Sequence, residues 1–200
     1  MTQPLKSPPF SPVVLEGRWV RLEPLTMDHL PDLLRVGLDE ALWQWTVDLN
    51  TSEAALTSYL RRALDDQKAG TALPFATIDR ASGRAIGSTR FGNYDRDHAR
   101  IEIGWTWIGR EWQRTATNTE AKLLMLTHAF DTLGLRRVEL KTDALNDQSR
   151  NAIKRLGAVE EGIFRQHMMT YTGRLRDTVY YSILAHEWPA VRARLQARLT

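Results

Sequence analysis

Apolar residues recur at two different spacings along this chain. The segment WVRLEPL (19–25) alternates as a strand does. Thr26 is then placed to cap a helix running through Leu30, Leu33 and Leu34. Asn50-Thr51-Ser52-Glu53 offers a second helix start, with Ala54, Leu56, Leu60 and Leu64 spaced for one face. Beyond it the period shortens. Residues 73–79 and 85–91 read as strands around the turn Ala81-Ser82-Gly83, and 100–108 reads as a third. Helix and strand then alternate. A helix over about 118–133 stops at Gly134, a strand covers 137–142, and a helix over 147–156 stops at Gly157. Strands near 159–168 and 177–184 follow. A short last helix opens at Glu187-Trp188-Pro189, where proline suits the first turn. An antiparallel meander leading into a strand–helix–strand unit predicts a mixed α/β fold with a mostly antiparallel central sheet flanked by helices.

Composition narrows the class. With 42% hydrophobic and 26% charged residues the chain is globular rather than disordered. The Pro- and Ser-rich start reads as a loose arm over residues 1–14, with a single domain over 15–200. The absence of cysteine excludes a disulfide scaffold, a thiolate metal site and a thiol nucleophile, and it fits a cytoplasmic chain. No run approaches the ~20 apolar residues of a membrane helix. A net charge of +3 is too slight for a dedicated nucleic-acid binder, so Arg192, Arg194 and Arg198 read as a solvated helix face. The five histidines show no ligand spacing, and no metal is expected.

The chemistry-bearing stretch begins at Arg100. In simple alternation Ile101, Ile103, Trp105 and Trp107 share one face of a strand, leaving Glu102, Gly104 and Thr106 on the other. A mid-strand carboxylate opposite an aromatic row either hydrates a solvated face or lines a cleft, where it can hold an amine or act as a general base. A polar loop follows. Thr117 and Glu120 have capping-box spacing ahead of the run Ala121-Lys122-Leu123-Leu124-Met125-Leu126. A helix N-terminus with Arg110 and Arg114 beside it suits a pyrophosphate.

The order IEIGWTW, then WQRTATNTEAKLLML, then NDQSRNAIKRLGAVEEG resembles the GCN5-related N-acetyltransferase superfamily. Within it, the resemblance is to the branch of ribosomal-protein N-terminal acetyltransferases, and it extends over nearly the whole chain after about residue 15. It implies acetyl-CoA as co-substrate and transfer of acetyl to a primary amine, either a protein N-terminus or a small amine. It implies that acetyl-CoA lies between the 100–108 and 137–142 strands. Backbone groups of Trp107 and Ile108 would meet the pantetheine arm. Gln113, Arg114, Thr115, Ala116, Thr117 and Asn118 would meet the pyrophosphate. Glu102 is then the expected base or amine anchor. Asn146 is expected near the cofactor, or as a helix N-cap. Ser149 is expected to protonate the leaving thiolate, or to serve as a first-turn hydroxyl. Tyr180 and Tyr181 are alternative acids. Trp43 and Trp45 would border the acceptor site, although tryptophan also serves packing. A homodimer is implied as well. The family loop reads Gln/Arg-x-x-Gly-x-Gly/Ala, whereas here Ala116 and Asn118 stand at the small positions. That departure motivates a second expectation: a non-catalytic acyl-CoA-binding protein of the same fold.

Overall fold

Eight strands form one sheet in the order β1-β2-β3-β4-β5-β6-β8-β7 in a computed structural model that describes residues 10–200. The strands are β1 (Leu15–Glu16), β2 (Val20–Pro24), β3 (Ala72–Asp79), β4 (Ala85–Asp95), β5 (Arg100–Ile108), β6 (Arg137–Asp143), β7 (Val159–Met169) and β8 (Leu175–Leu184). The helices are α1 (Leu30–Gly37), α2 (Glu53–Lys68), α3 (Ala116–Thr127), α4 (Asp147–Leu156) and α5 (Trp188–Ala197). All neighbouring strands run antiparallel except β5 and β6. The fold class is the one the hydrophobic pattern predicts.

Each sheet face carries its own core. On one face α3, α4 and α5 bury Met125, Leu126, Ile153, Leu156, Val191 and Leu195 against Ile101, Ile103, Val138 and Ile183. On the other, α1 and α2 bury Leu33, Leu56, Tyr59, Leu60 and Ala63 against Ala76, Ile78 and Trp107. Ala54 is exposed, and Tyr59 and Ala63 take the place expected for it.

Several boundaries differ from the sequence pattern. Strand β4 continues to Asp95, past residue 91. The long helix begins at Ala116, and a single π-type turn replaces α-helix over His128–Thr132. Gly157 closes α4 at φ 104°, a left-handed cap that glycine adopts without a Cβ penalty. Residues 1–9 of the expected arm lie outside the described residues. Of residues 10–14, Phe10 stacks its ring on Tyr94 at 4.5 Å and Val13 lies against the first core, while Ser11, Pro12 and Val14 are exposed.

Candidate active site

The one parallel contact in the sheet is short. Strands β5 and β6 pair at Arg100↔Arg137, Ile101↔Val138 and Glu102↔Glu139, and at no later position. Beyond Glu102 they part, so Gly104 to Ile108 faces an open fork. The loop before α3 and the start of α4 meet at its wide end. Gln113 donates to the Ile108 carbonyl at 3.1 Å, and Gln148 donates to Gln113 at 3.2 Å.

A bulge shapes the open stretch of β5. Ser88 pairs with Trp107 and Arg90 with Gly104, so Thr89 alone opposes Trp105 and Thr106. Trp105 takes φ +49°, a left-handed conformation that a bulky residue rarely adopts. The extra residue reverses the alternation. Trp105 and Trp107 therefore do not share a face with Ile101 and Ile103, as simple alternation predicts. Trp107 packs into the α1–α2 core, whereas Ile101 and Ile103 lie in the opposite one. Thr106 turns toward α3, where its hydroxyl lies 2.7 Å from that of Thr89.

Glu102 is buried at the apex of the fork, at 2% exposure. Asn93 donates to its Oε2 at 2.8 Å, and the Lys141 ammonium of β6 lies 3.0 Å from the same oxygen. The ion pair spans the last point at which the two strands are joined. Gly104 explains part of the Glu-Ile-Gly pattern, because a Cβ there would sit 2.8 Å from a Glu102 carboxylate oxygen. Below Glu102 opens a cavity of about 750 Å³, lined by Asn93, Asp95, Arg100, Glu139, Phe164 and Tyr180 among others. Glu139 and Asp95 are both paired with Arg100 there.

The loop leading into α3 departs from the expected cap. The N-cap is Thr115, whose hydroxyl accepts from the Thr117 N–H at 3.3 Å. Thr117 and Glu120 form no capping box. Glu120 reaches instead to the β1–β2 turn, where its carboxylate accepts from the backbone N–H groups of Arg18, Trp19 and Val20 at 2.7, 2.7 and 2.8 Å. The left-handed residue of the loop is Arg114, at φ +61°. Ala116 and Asn118 lie outside that region, so their side chains cost no backbone strain. The change from the family's small residues falls where the helix has already begun, and Arg114 itself is exposed.

The remaining predicted residues divide. Asn146 caps α4, accepting from the Ser149 N–H at 2.9 Å, and Ser149 stands in that first turn. Tyr181 is buried on the α4 side, where it donates to Glu160 and accepts from Arg150, each at 3.3 Å. Tyr180 faces the cavity with Phe164, at 4.5 Å between ring centroids. Trp43 is 2% exposed, and its indole N–H donates to the Gly37 carbonyl at 2.7 Å. It fills the α1–α2 core rather than an open surface. Trp45 lies against the Arg174 guanidinium at 5.8 Å. His128 is half-buried against Phe91, and burial holds its imidazole below the usual range. Among the described residues no group of three or more His, Asp or Glu side chains could hold a metal ion.

Two features were missed by sequence reasoning. Asn93 holds Glu102 from a second register shift in β4, at φ +50°. Lys122, read as part of an apolar run, is buried without any carboxylate partner among the described residues. A lysine interrupting that run was the available signal.

A sheet forking between two parallel strands, with a capped helix start facing the gap and a held carboxylate at its apex, defines the acetyltransferase class. The family model described as an acetyltransferase (GNAT) domain matches residues 20–159, and the chain belongs to that family. A GCN5-related N-acetyltransferase from Brucella melitensis is 37% identical, with a TM-score of 0.89, covering 97% of this chain and 88% of its own. RimJ of Mycobacterium smegmatis, solved with CoA-disulfide, shares the fold at a TM-score of 0.81 and 23% identity, over 95% of this chain and 96% of its own. YdaF of Bacillus subtilis, provisionally named a ribosomal N-acetyltransferase, is 35% identical over 106 residues. That match covers 53% of this chain and 57% of YdaF, just over half the length of the relative.

Proposed function

We propose that the chain transfers acetyl from acetyl-CoA to a primary amine by direct attack in a ternary complex. The observation that carries this reading is the fork itself: β5 and β6 part at Glu102↔Glu139, and a carboxylate is held at that point. Acetyl-CoA enters from the α3–α4 side, with its pyrophosphate against the loop from Gln113 to Asn118 and its pantetheine arm along Trp107 and Ile108. The fork must release the Ile108 carbonyl from Gln113 to admit it. The amine arrives through the cavity on the opposite face, beside Tyr180 and Glu139. The thioester is already activated, so holding the two reactants together and taking one proton are what the site must supply. Glu102 takes that proton, directly or through water. A protein N-terminal α-amine suits such a site better than a lysine side chain, because its pKa is near 8 and more of it is neutral. A small amine is the other acceptor class. A homodimeric state, a cytoplasmic location and the absence of a nucleic-acid partner belong to the same reading. Among the described residues no helix is long and apolar enough to cross a membrane.

The test pairs a thermal-shift titration with acetyl-CoA and a thiol-release assay on a panel of small amines and peptides with free N-termini. We expect stabilisation by acetyl-CoA and thiol release with at least one amine. Stabilisation without release on any amine would instead make the chain a non-catalytic acyl-CoA-binding protein.

One substitution tests the packing behind Glu102. In Gly104→Ala the new methyl competes with a carboxylate that Asn93 and Lys141 already hold. Turnover should fall by about 10-fold or more, while circular dichroism stays that of the folded protein.

A further inference from the structure

Lys122 stands out among the buried charges. It is 5% exposed on α3, and its ammonium donates to the Thr89 hydroxyl at 3.1 Å and the Thr106 hydroxyl at 2.7 Å. Its two partners are neutral and bond in turn to neutral groups: Thr89 of β4 to the Gly104 carbonyl and the Met125 sulfur, and Thr106 of β5 to the same carbonyl. The nearest carboxylate along α3, Glu120, is turned away to the β1–β2 turn. A buried ammonium with only hydroxyl partners is costly, and such groups concentrate at functional sites.

Its location supplies a use. Thr106 is exposed on the stretch of β5 that β6 does not cover, and it carries the only hydroxyl between Trp105 and Ile108. It therefore links the buried ammonium to the fork. We propose that Lys122, acting through the Thr106 hydroxyl, supplies the proton that the departing CoA thiolate takes up. The inference rests on the acetyl-transfer reading above. As the amine–carbon bond forms, the carbon–sulfur bond breaks and sulfur leaves with the bonding pair. Thr106 gives its hydroxyl proton to sulfur and takes one from Lys122, which becomes the neutral amine. The proton lost by the attacking amine passes to Glu102, and solvent returns one to Lys122. Lys122 is thus a positioning residue, and Thr106 is the group that touches substrate.

The energetics fit this use. Burial pushes the Lys122 ammonium down from 10.5 to about 7. A free thiol titrates near 8.5, so transfer from this ammonium to a thiolate is downhill, whereas an ordinary lysine would resist it. The same shift sets a stability cost. The folded state disfavours the protonated form, so the cost is fully present below about pH 7 and vanishes only as pH rises through 10.5.

The test compares wild type with Lys122→Met, Thr106→Val, Thr106→Ser and the Met/Val double variant. Steady-state kinetics with acetyl-CoA and an accepted amine run across neutral pH. In parallel, ultraviolet thiolate absorbance reads the titration of bound CoA. We expect kcat to fall about 10-fold or more in Lys122→Met, with KM for acetyl-CoA changed less than about 3-fold. Thr106→Val should match it, the double variant should be no worse, and Thr106→Ser should recover most of the loss. The decline of kcat as pH rises past about 7 should disappear in Lys122→Met. Its melting temperature should rise by several degrees, separating a lost proton donor from lost structure. Bound CoA should ionise at lower pH in wild type and Thr106→Ser than in Thr106→Val, which lacks the hydroxyl that donates to sulfur.

Unchanged kcat in Lys122→Met and Thr106→Val overturns the proposal, as does a lower kcat accompanied by a lower melting temperature. If wild type turns over no amine, the transfer reading fails. The CoA titration still decides the inference: a thiolate that depends on the Thr106 hydroxyl supports the link to the fork, and identical titrations in wild type and Thr106→Val reject it.

Discussion

Glu102→Gln is expected to lower turnover by about 100-fold while leaving acetyl-CoA binding near its wild-type level. The amide has the volume of the carboxylate and can still accept a hydrogen bond from Asn93, so the apex of the fork keeps its shape. What it loses is the charge opposite Lys141 and the capacity to take a proton from an amine. The pyrophosphate and pantetheine contacts proposed for the cofactor lie at the other end of β5 and along the loop into α3, away from this carboxylate. The expected signature is therefore a fall in kcat with little change in the thermal shift produced by acetyl-CoA. Comparing the two measurements across an acetyl-CoA titration checks it. Unchanged turnover would remove Glu102 from the mechanism, and a lost thermal shift would make its role one of holding the fork.

Most of the fold was legible because its elements follow local rules. Strand β5 and helix α4 fall at the boundaries that alternation, an Asn–Asp start and a closing glycine indicate. The fork was legible only through family resemblance, since two strands that pair for three residues and then part leave no periodic trace. The failures share a cause. A period-two reading of β5 assigns Trp105 to the core face, yet a single bulge opposite Thr89 reverses every side chain after it. Nothing in the spacing announces a tryptophan at positive φ. Gly92, paired with Glu102, leaves one trace, because a Cβ there would lie 2.6 Å from the Trp105 ring. Trp43 and Trp45, two residues apart, part company for a similar reason: a turn closed by the Thr46 N–H donating to the Trp43 carbonyl at 3.0 Å runs between them, with one indole in the core and the other against Arg174.

The same limit explains Lys122. Sequence pattern treats a lysine in an apolar helix run as a surface interruption, and its stem does suit a helix edge. Only the tertiary fold shows that Thr89 and Thr106 arrive beneath it from two strands and give the ammonium its partners. The bulge and the buried cation then belong together. The extra residue that brings Thr106 to the α3 face is Trp105 in its left-handed turn, so one irregularity shapes the proposed acceptor face and the proposed proton path at once.

Glu120→Ala should destabilise the protein by about 3 kcal/mol, the largest stability loss we predict for a single polar side chain here. Its carboxylate accepts three charge-assisted hydrogen bonds from consecutive backbone N–H groups, and the one from Val20 is buried. Alanine leaves those donors without acceptors and opens a space that the β1–β2 turn cannot fill. Glutamine is little better, because its NH₂ group would face an N–H donor in place of an acceptor. Gly17 sits against the same carboxylate: a Cβ there would lie 2.4 Å from its carbon, so Gly17→Ala should destabilise by the same route. For a chain of this size such a loss lowers the melting temperature by about 6–12 °C. Lys122→Met, two residues further along the same helix, should move it the other way. Thermal melts of the two variants in one buffer near neutral pH check both signs. A Glu120→Ala melt equal to wild type would mean that water replaces the carboxylate at the turn, and that the register of α3 against β2 is held by the apolar core alone.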